Sequence, residues 1–280
     1  MHPILIDLPF LRVTSGDAML LVAVVFTWWI GPRWAASLEG LDVGRVRRAS
    51  VVLSLVALAG ARAHFALNFW NVYADHPVDV LKPWIGGFHV GGAVIALVAA
   101  APWVTRRQGL PLGKFGDGVT PVVGVALAIQ RVGCLLHGCC FGTTCDWPWA
   151  ITFPPQSAVY ATQEYLGWLE PGATRSLPVH PLQIYFMAAG LALAAVALWV
   201  QRRKRYDGQV ALVGLVVLSA SAAGLEFFRG EFGGRVWWGS LPQLEWTALA
   251  MLAAAFVALA AAEMVHRRQR VAVGALVGSA

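Results

Sequence analysis

The sequence predicts an all-α membrane protein, a bundle of seven transmembrane helices with a long arm between the fourth and fifth helices. Composition is the first reason, because 58% of the 280 residues are apolar and only 13% are charged. Soluble domains have about 25% charged residues. Apolar stretches of nearly membrane-spanning length also recur along the chain, and tryptophans lie near their ends, where an interfacial belt forms. We therefore expect a multi-pass protein with a single transmembrane domain, residues 1–280.

Seven stretches approach the roughly 20 apolar residues that a helix needs to cross a bilayer. They cover residues 17–35, 49–70, 86–103, 118–137, 180–200, 209–228 and 243–263. The connection between the fourth and fifth, residues 139–178, is rich in proline and aromatic residues. A connection this long is usually functional, and we predict that it forms an arm outside the cytoplasm.

The basic residues give the expected orientation. Fourteen lie in alternate connections: Arg33, Arg45, Arg47, Arg48, Arg106, Arg107, Lys114, Arg202, Arg203, Lys204, Arg205, Arg267, Arg268 and Arg270. The opposite connections have Arg12, Lys82, Arg175 and Arg235. Because cytoplasmic loops are enriched in Lys and Arg, the amino terminus is predicted outside and the carboxyl terminus in the cytoplasm. The short basic clusters, which form no basic stripe, argue against a nucleic-acid partner.

Ionisable residues gather at one predicted depth, the outer third of the bilayer. They are Arg62, His64, His89, Arg131, His137, His180, Glu226 and Arg229. Since such residues are costly inside a membrane unless paired or wetted, we expect them to share a polar cavity. Arginine binds phosphate through its planar fork, which points to a phospholipid headgroup. Each residue alone also has a structural explanation, either snorkelling to the headgroups or a packing ion pair.

Spacing refines this prediction. Arg131, Cys134 and His137 are three residues apart and share a helical face, and Glu226 and Arg229 are one turn apart, close enough to touch. Glycines on both sides of this face, Gly133 and Gly142, allow the backbone to approach a ligand closely. Ordinary packing of small residues is the alternative explanation for glycines in membrane helices.

All four cysteines follow the outer end of the fourth helix: Cys134, Cys139, Cys140 and Cys145. In an oxidising space outside the cytoplasm, a disulfide is the leading interpretation, for example Cys139 or Cys140 with Cys145. The pairing does not follow from the sequence. No metal is predicted, because the spacing lacks the paired C-x2-C units of zinc sites. A thiol redox role is a further alternative, although a C-x-x-C pair is absent.

The region around the fourth helix resembles the signature of bacterial prolipoprotein diacylglyceryl transferases, G-R-x-G-N-F-x-N-x-E-x-x-G. The matching run is Gln130-Arg131-Val132-Gly133-Cys134-Leu135-Leu136-His137-Gly138-Cys139-Cys140-Phe141-Gly142. Further matches, in the same order as in the family, are Gly60-Ala61-Arg62, Trp84-Ile85-Gly86-Gly87, Asp117 with Pro121, Pro148-Trp149-Ala150 with Phe153-Pro154, His180-Pro181-Leu182-Gln183-Ile184-Tyr185 and Glu226-Phe227-Phe228-Arg229. The chain is similar to a divergent branch of that family with a Gly-Cys-Cys signature.

The resemblance implies an enzyme of the bacterial inner membrane. It would move a diacylglyceryl group from phosphatidylglycerol to the lipobox cysteine thiol of preprolipoprotein signal peptides, without a cofactor. His89, Arg131 and Glu226 are the implied catalytic residues, with His89 as base or hydrogen-bond partner of the thiol. The implied substrate-binding residues are Arg62, Gly133, His137, Gly142, His180 and Arg229. The sequence-predicted disulfide candidates, Cys139, Cys140 and Cys145, complete the set of candidate site residues.

Several positions depart from the family pattern. The histidine before the Gly-Gly pair is displaced by one residue, because Val90 separates His89 from Gly91. Two asparagines and a glutamate of the signature are replaced by Cys134, His137 and Cys139. A later glutamate is Phe186, and an arginine is Ala222. A divergent homologue that binds phospholipid or a small anion without transfer, and a thiol redox membrane protein, are therefore the alternative functions.

Overall fold

A computed structural model of the chain describes residues 4–8, 11–82, 87–230, 237–238 and 241–278. The described part is mainly helical. Its helices are α1 Ser15–Val25, α2 Gly31–Glu39, α3 Val43–Asn68, α4 Trp70–Tyr73, α5 Val90–Arg107, α6 Leu112–His137, α7 Ala158–Tyr165, α8 Leu182–Gln201, α9 Gln209–Glu226 and α10 Gln243–Gly278. A π-helical turn, Phe26–Ile30, joins α1 to α2, and a 3-10 turn, Pro77–Leu81, precedes α5. Trp84, Ile85, Gly86 and Arg235, used above, lie outside the described residues.

Six helical segments in the described residues are long and apolar enough to cross a membrane. They are Ser15–Glu39, Val43–Asn68, Leu112–His137, Leu182–Gln201, Gln209–Glu226 and Trp246–Gln269. Each corresponds to one of the predicted spans. The remaining predicted span, residues 86–103, overlaps α5, whose 18 residues end in Arg106 and Arg107. The chain is thus a helical, multi-pass membrane protein, and the seventh span stays a prediction.

Short strands that the sequence did not predict flank the helices. Strands β1, Ile4–Leu8, and β2, Leu11–Thr14, pair in antiparallel fashion, with Ile4 opposite Thr14. Thr14 then caps α1, because its hydroxyl accepts from the backbone N–H of Asp17 while the Asp17 carboxylate accepts from that of Thr14. This reciprocal arrangement is a capping box. A second pair, β3 Trp237–Trp238 and β4 Leu241–Pro242, precedes α10.

The backbone divides into two compact units. One comprises residues 28–119, in which α3 packs against α2 and α5. The α3 and α5 backbones approach closely at Gly60, where an added Cβ would lie 2.5 Å from the carbonyl oxygen of Gly92. Asp42 caps the start of α3 by accepting from the backbone N–H of Arg45 at 2.8 Å. The close crossing brings the end of α3 and the start of α5 together.

The other unit comprises residues 1–27 and 120–280, in which α9 packs against α8 and α10. Helices α6 and α8 cross at Gly124 and Gly190: an added Cβ at Gly124 would lie 2.6 Å from the Gly190 carbonyl oxygen. Small residues permit such close backbone packing between membrane helices. This crossing fixes the distance between the later part of α6, which contains Arg131, and the start of α8, which contains Phe186.

The predicted arm, residues 139–178, has a core of its own. Phe141, Phe153 and Val159 are buried with Val179, which follows the arm. Helix α7 lies within it, capped by Ser157, whose hydroxyl accepts from the backbone N–H of Tyr160 at 3.3 Å. The arm is therefore folded against the helices that flank it. Its location outside the cytoplasm stays a prediction.

Candidate active site

Two arginines meet on one aromatic ring in the second unit described above. The guanidinium carbon of Arg131, on α6, lies 4.6 Å from the ring centre of Phe186, and that of Arg229 lies 6.0 Å from it. Such geometry is a cation–π contact. Glu226 accepts a hydrogen bond from Nε of Arg229 at 2.7 Å, so the ion pair that the spacing predicts is present. We call Arg131, Phe186, Glu226 and Arg229 the guanidinium cluster.

The two arginines of this cluster differ in their partners. Glu226 is 3% exposed and neutralises Arg229. Arg131 is half-buried. Its guanidinium stacks on the Phe186 ring and acts electrostatically on the Cys134 thiol, and it forms no hydrogen bond or ion pair with a described residue. Two cations and one carboxylate leave this group with one net positive charge. A partly desolvated guanidinium with free N–H groups suits an anionic ligand such as phosphate.

Phe186 was not among the site residues predicted from the sequence, where it counted only as a departure from the family pattern. The resemblance places a carboxylate at this position, which would form ion pairs with neighbouring arginines. A phenyl ring holds the same guanidinium by its π face and adds no negative charge. The cluster therefore has one negative charge fewer than the family pattern would give it.

Gly142 lies at a junction of three segments, residues 141–145, 178–180 and 228–230. Its backbone N–H donates to the carbonyl of His180 at 3.0 Å, and the N–H of Thr143 donates to the carbonyl of Phe228 at 2.8 Å. The N–H of Gly230 returns a bond to the carbonyl of Phe141 at 3.0 Å. This three-segment junction ties the arm to the ends of α8 and α9, beside the guanidinium cluster.

Substitution of Gly142 by Ala is expected to lower the free energy of unfolding by about 1–3 kcal/mol, the usual cost of overpacking. An added Cβ would lie 2.5 Å from the Cβ of His180 and 2.9 Å from the carbonyl oxygen of Phe228. Gly224→Ala on α9 is the matched control, since nothing lies within 4 Å of an added Cβ there. Denaturant unfolding in detergent measures both. Equal effects of the two substitutions would refute a steric role for Gly142.

His180 is buried and stands among aromatic rings. Its Nδ1 lies 3.2 Å from the hydroxyl of Tyr185, and its ring centre lies 5.2 Å from that of Phe228 and 5.6 Å from that of Trp147. Tyr185 in turn accepts from the indole N–H of Trp149 at 2.8 Å. These contacts fix the imidazole at the junction. The substrate-binding role predicted for His180 stays a prediction.

Gly133 and His137 both face α1. An added Cβ at Gly133 would lie 2.7 Å from the Cβ of Met19 and 3.2 Å from the Cα of Gly16. An added Cβ at Gly16 would lie 3.8 Å from the Cβ of His137. Gly133 thus allows close packing of α6 against α1. Close helix packing was the alternative explanation for glycines in these membrane helices. Ligand binding by Gly133 or His137 stays a prediction.

Three thiols gather at the end of α6. The Sγ atoms of Cys134, Cys139 and Cys140 all lie within 4.8 Å of one another, and we call them the thiol cluster. Cys145 is not part of this group, and no disulfide joins any of the four cysteines, all of which are described. Hydrogen bonds with Cys134 and Cys140 raise the pKa of the Cys139 thiol above its ordinary value. The structure thus places Cys134, rather than Cys145, beside the cysteines of the predicted disulfide.

Arg62 and His89 belong to the unit of residues 28–119. Arg62 is 8% exposed and donates four hydrogen bonds to backbone carbonyls. The acceptors are Val80 at 2.7 Å, Gly87 at 3.0 Å, Asp79 at 3.1 Å and Lys82 at 2.8 Å. Arg62 therefore organises the segment that leads to α5. Its predicted role as a phosphate ligand stays a prediction.

His89 stands immediately before α5, where its ring centre lies 4.5 Å from that of His64 on α3. The backbone N–H of His89 donates to the carbonyl of Ala61 at 3.0 Å, which fixes the position of the residue. Its Nδ1 is buried without a hydrogen-bond partner among the described residues. A neutral imidazole nitrogen of this kind can accept a proton, which is consistent with the predicted base.

Comparison with known proteins gives the same family as the signature. The model of the family "Prolipoprotein diacylglyceryl transferase" matches residues 3–261. The chain belongs to this family. A phosphatidylglycerol–prolipoprotein diacylglyceryl transferase of Proteus mirabilis is 30% identical over 225 residues, 75% of this chain and 74% of that protein. Proteins of the same name from Paracidovorax citrulli and Vibrio atlanticus are 31% and 26% identical, and the alignments cover 69% and 89% of this chain and 68% and 88% of those proteins.

Proposed function

We propose that this member of the family transfers the diacylglyceryl group of phosphatidylglycerol to the lipobox cysteine thiol of preprolipoproteins. The observation that supports this most directly is Arg131, held on the Phe186 ring with its N–H groups not engaged by other described residues. In the reaction a sulfur–carbon bond forms at the glyceryl carbon, and the carbon–oxygen bond to phosphate breaks. Glycerol phosphate leaves with the bonding electrons, and the thiol proton passes to a base.

Five of the candidate residues have a role in this proposal. Arg131 binds the phosphate and stabilises the negative charge that grows on the leaving group, as preorganised donors do in other enzymes. Glu226 holds Arg229 in place, and Arg229 contributes the second cation. His89 accepts the thiol proton, and Arg62 keeps the segment before α5 in position. Transfer is expected on the outer side of the inner membrane, with the amino terminus outside and the carboxyl terminus in the cytoplasm.

The direct test uses purified protein, phosphatidylglycerol and a lipobox peptide, with mass spectrometry of the peptide. A mass increase equal to one diacylglyceryl group is expected, and a peptide with serine in place of the lipobox cysteine should remain unchanged. Complementation of a strain depleted of its own diacylglyceryl transferase tests the same activity in cells. Absence of product under conditions in which an established enzyme is active would refute the proposal.

A second candidate is a homologue that binds phospholipid or a small anion without transfer. Phe186 and Ala222 favour it, since both replace charged residues of the family pattern. Binding of phosphatidylglycerol that depends on Arg131, with no modified peptide, would identify this function. The third candidate, thiol redox chemistry, requires that the thiol cluster change between reduced and oxidised forms. Thiol trapping before and after reduction would show such a change.

Substitution of Phe186 by Leu is expected to lower kcat/KM about 3- to 30-fold, because it removes a cation–π contact worth up to about 2 kcal/mol. Leucine retains most of the apolar packing. Trp199→Leu is the matched control, since Arg203 lies 4.6 Å from the Trp199 ring centre in the same type of contact. The peptide assay measures both variants. Unchanged turnover in Phe186→Leu would show that the ring does not position Arg131.

A further inference from the structure

The thiol cluster occupies a turn built by the end of α6. The backbone N–H groups of Gly138 and Cys139 both donate to the carbonyl of Cys134, at 2.9 and 3.2 Å. Gly138 adopts a φ of +77°, which reverses the chain, and Cys140 adopts a φ of +55°. The reversal carries Cys139 and Cys140 back beside Cys134. Consequently three sulfur atoms lie within 4.8 Å of one another.

Backbone strain and surrounding contacts indicate that this arrangement is held in place. Cys140 is one of two non-glycine residues with positive φ among those described, and such conformations persist only when the surroundings impose them. The side-chain amide of Gln183 donates to the carbonyl of Cys139 at 2.7 Å. The three-segment junction begins at Phe141, one residue after Cys140. The turn is therefore held on both sides.

Two features favour a metal ion over a disulfide as the function of this cluster. A disulfide joins two sulfur atoms at about 2.05 Å and leaves the third thiol without a role. A three-coordinate ion with metal–sulfur bonds of about 2.3 Å places its ligands about 4 Å apart, which is compatible with three sulfur atoms that all lie within 4.8 Å of one another. In addition, Nε2 of Gln130 lies 3.1 Å from Sγ of Cys134 and donates to it. Hydrogen bonds of this kind orient sulfur ligands in metal sites.

We propose that Cys134, Cys139 and Cys140 form a three-thiolate site for a soft monovalent metal ion, Cu(I). Thiolates select soft ions such as Cu(I) and Zn(II). Structural zinc is almost always four-coordinate, and no fourth His, Cys, Asp or Glu belongs to this group among the described residues. On binding, each thiol that becomes a ligand releases its proton to solvent. The site goes beyond the transferase reaction and replaces the expectation that the chain binds no metal.

The positive charge of Arg131 would stabilise an anionic metal site at this position. It precedes Cys134 by three residues on α6, so both side chains lie on the same face of the helix. Three thiolates and one Cu(I) ion carry a net charge of −2, which a nearby guanidinium partly offsets. A metal site here would therefore share Arg131 with the proposed phosphate site, which makes metal and lipid competitors for the same cation.

The test is a Cu(I) titration of the purified protein in detergent. The protein is first treated with a phosphine reductant and a chelator, then titrated without oxygen against a chromogenic Cu(I) chelator. One ion per chain is expected, with about three sulfur ligands at about 2.3 Å in X-ray absorption spectra. The variants Cys134→Ser, Cys139→Ser and Cys140→Ser should each bind Cu(I) at least about 10-fold more weakly. Cys145→Ser, the matched control, should bind as the parent chain does.

Several outcomes would overturn the proposal. These are a reduced chain that binds no Cu(I), a loss of affinity as large in Cys145→Ser as in the cluster variants, or displacement of Cu(I) by equimolar Zn(II). Unchanged elution and tryptophan fluorescence of each variant show that a loss is not due to unfolding. The readout is metal content, so the result does not depend on whether the chain has transferase activity.

Discussion

Replacement of Arg131 by Ala is expected to lower kcat/KM for diacylglyceryl transfer by at least about 100-fold, the usual cost of losing a donor that stabilises a developing oxyanion. The guanidinium carbon lies 4.6 Å from the centre of the Phe186 ring, and its N–H groups are the proposed donors to the phosphate. Arg131→Lys retains the charge but loses the planar fork and its stacking. It should therefore show an intermediate loss of about 10-fold. The lipobox peptide assay measures both.

Arg203→Ala is the control for Arg131, because Arg203 stacks on Trp199 at the same distance of 4.6 Å but at the opposite end of α8. It removes one positive charge and one cation–π contact outside the proposed site. Turnover should remain within about two-fold of the parent chain, since exposed cation–π contacts contribute about 0.5–1 kcal/mol to stability. Equal losses in the two variants would attribute the effect to general destabilisation and remove the phosphate role of Arg131.

Helices could be predicted from the sequence because length and hydropathy determine which segments enter a membrane. Each of the six membrane-length helices lies where an apolar stretch predicted it. The backbone structure of residues 139–178 could not be predicted in the same way. Its structure depends on backbone bonds to distant segments, such as those of Ile151 with Val179, 28 positions later. Such pairing has no local periodicity in the sequence.

In the candidate site, too, contacts within one helix turn could be predicted from the sequence, whereas contacts between separate segments could not. The contact between Glu226 and Arg229 follows from helical spacing and was predicted. The position of Phe186 between two arginines depends on how closely α6 and α8 pack, which a single sequence does not reveal. Cys134 joins Cys139 and Cys140 through a left-handed turn at Gly138. A glycine before two cysteines was the available signal for that turn, because glycine adopts positive φ at little cost.

Loss of the Glu226 carboxylate is expected to lower the free energy of unfolding by about 3–5 kcal/mol, the usual cost of removing one partner of a buried ion pair. The side chains of Glu226 and Arg229 are only 4% and 14% exposed, and their contact is 2.7 Å long. The variant Glu226→Ala tests this by denaturant unfolding in detergent. Removal of both charges, in Glu226→Gln with Arg229→Met, should recover most of the loss, since neither charge of the pair is then buried.

The matched control is the pair of Lys204 and Asp207, which has the same three-residue spacing and a contact of 3.3 Å. Its carboxylate is 48% exposed, so Asp207→Ala should cost at most about 1 kcal/mol. If the double variant at positions 226 and 229 is as unstable as Glu226→Ala, packing rather than charge explains the effect. If the double variant is stable but inactive in the peptide assay, the pair serves catalysis. In the parent chain, Arg229 would supply the second positive charge beside Arg131.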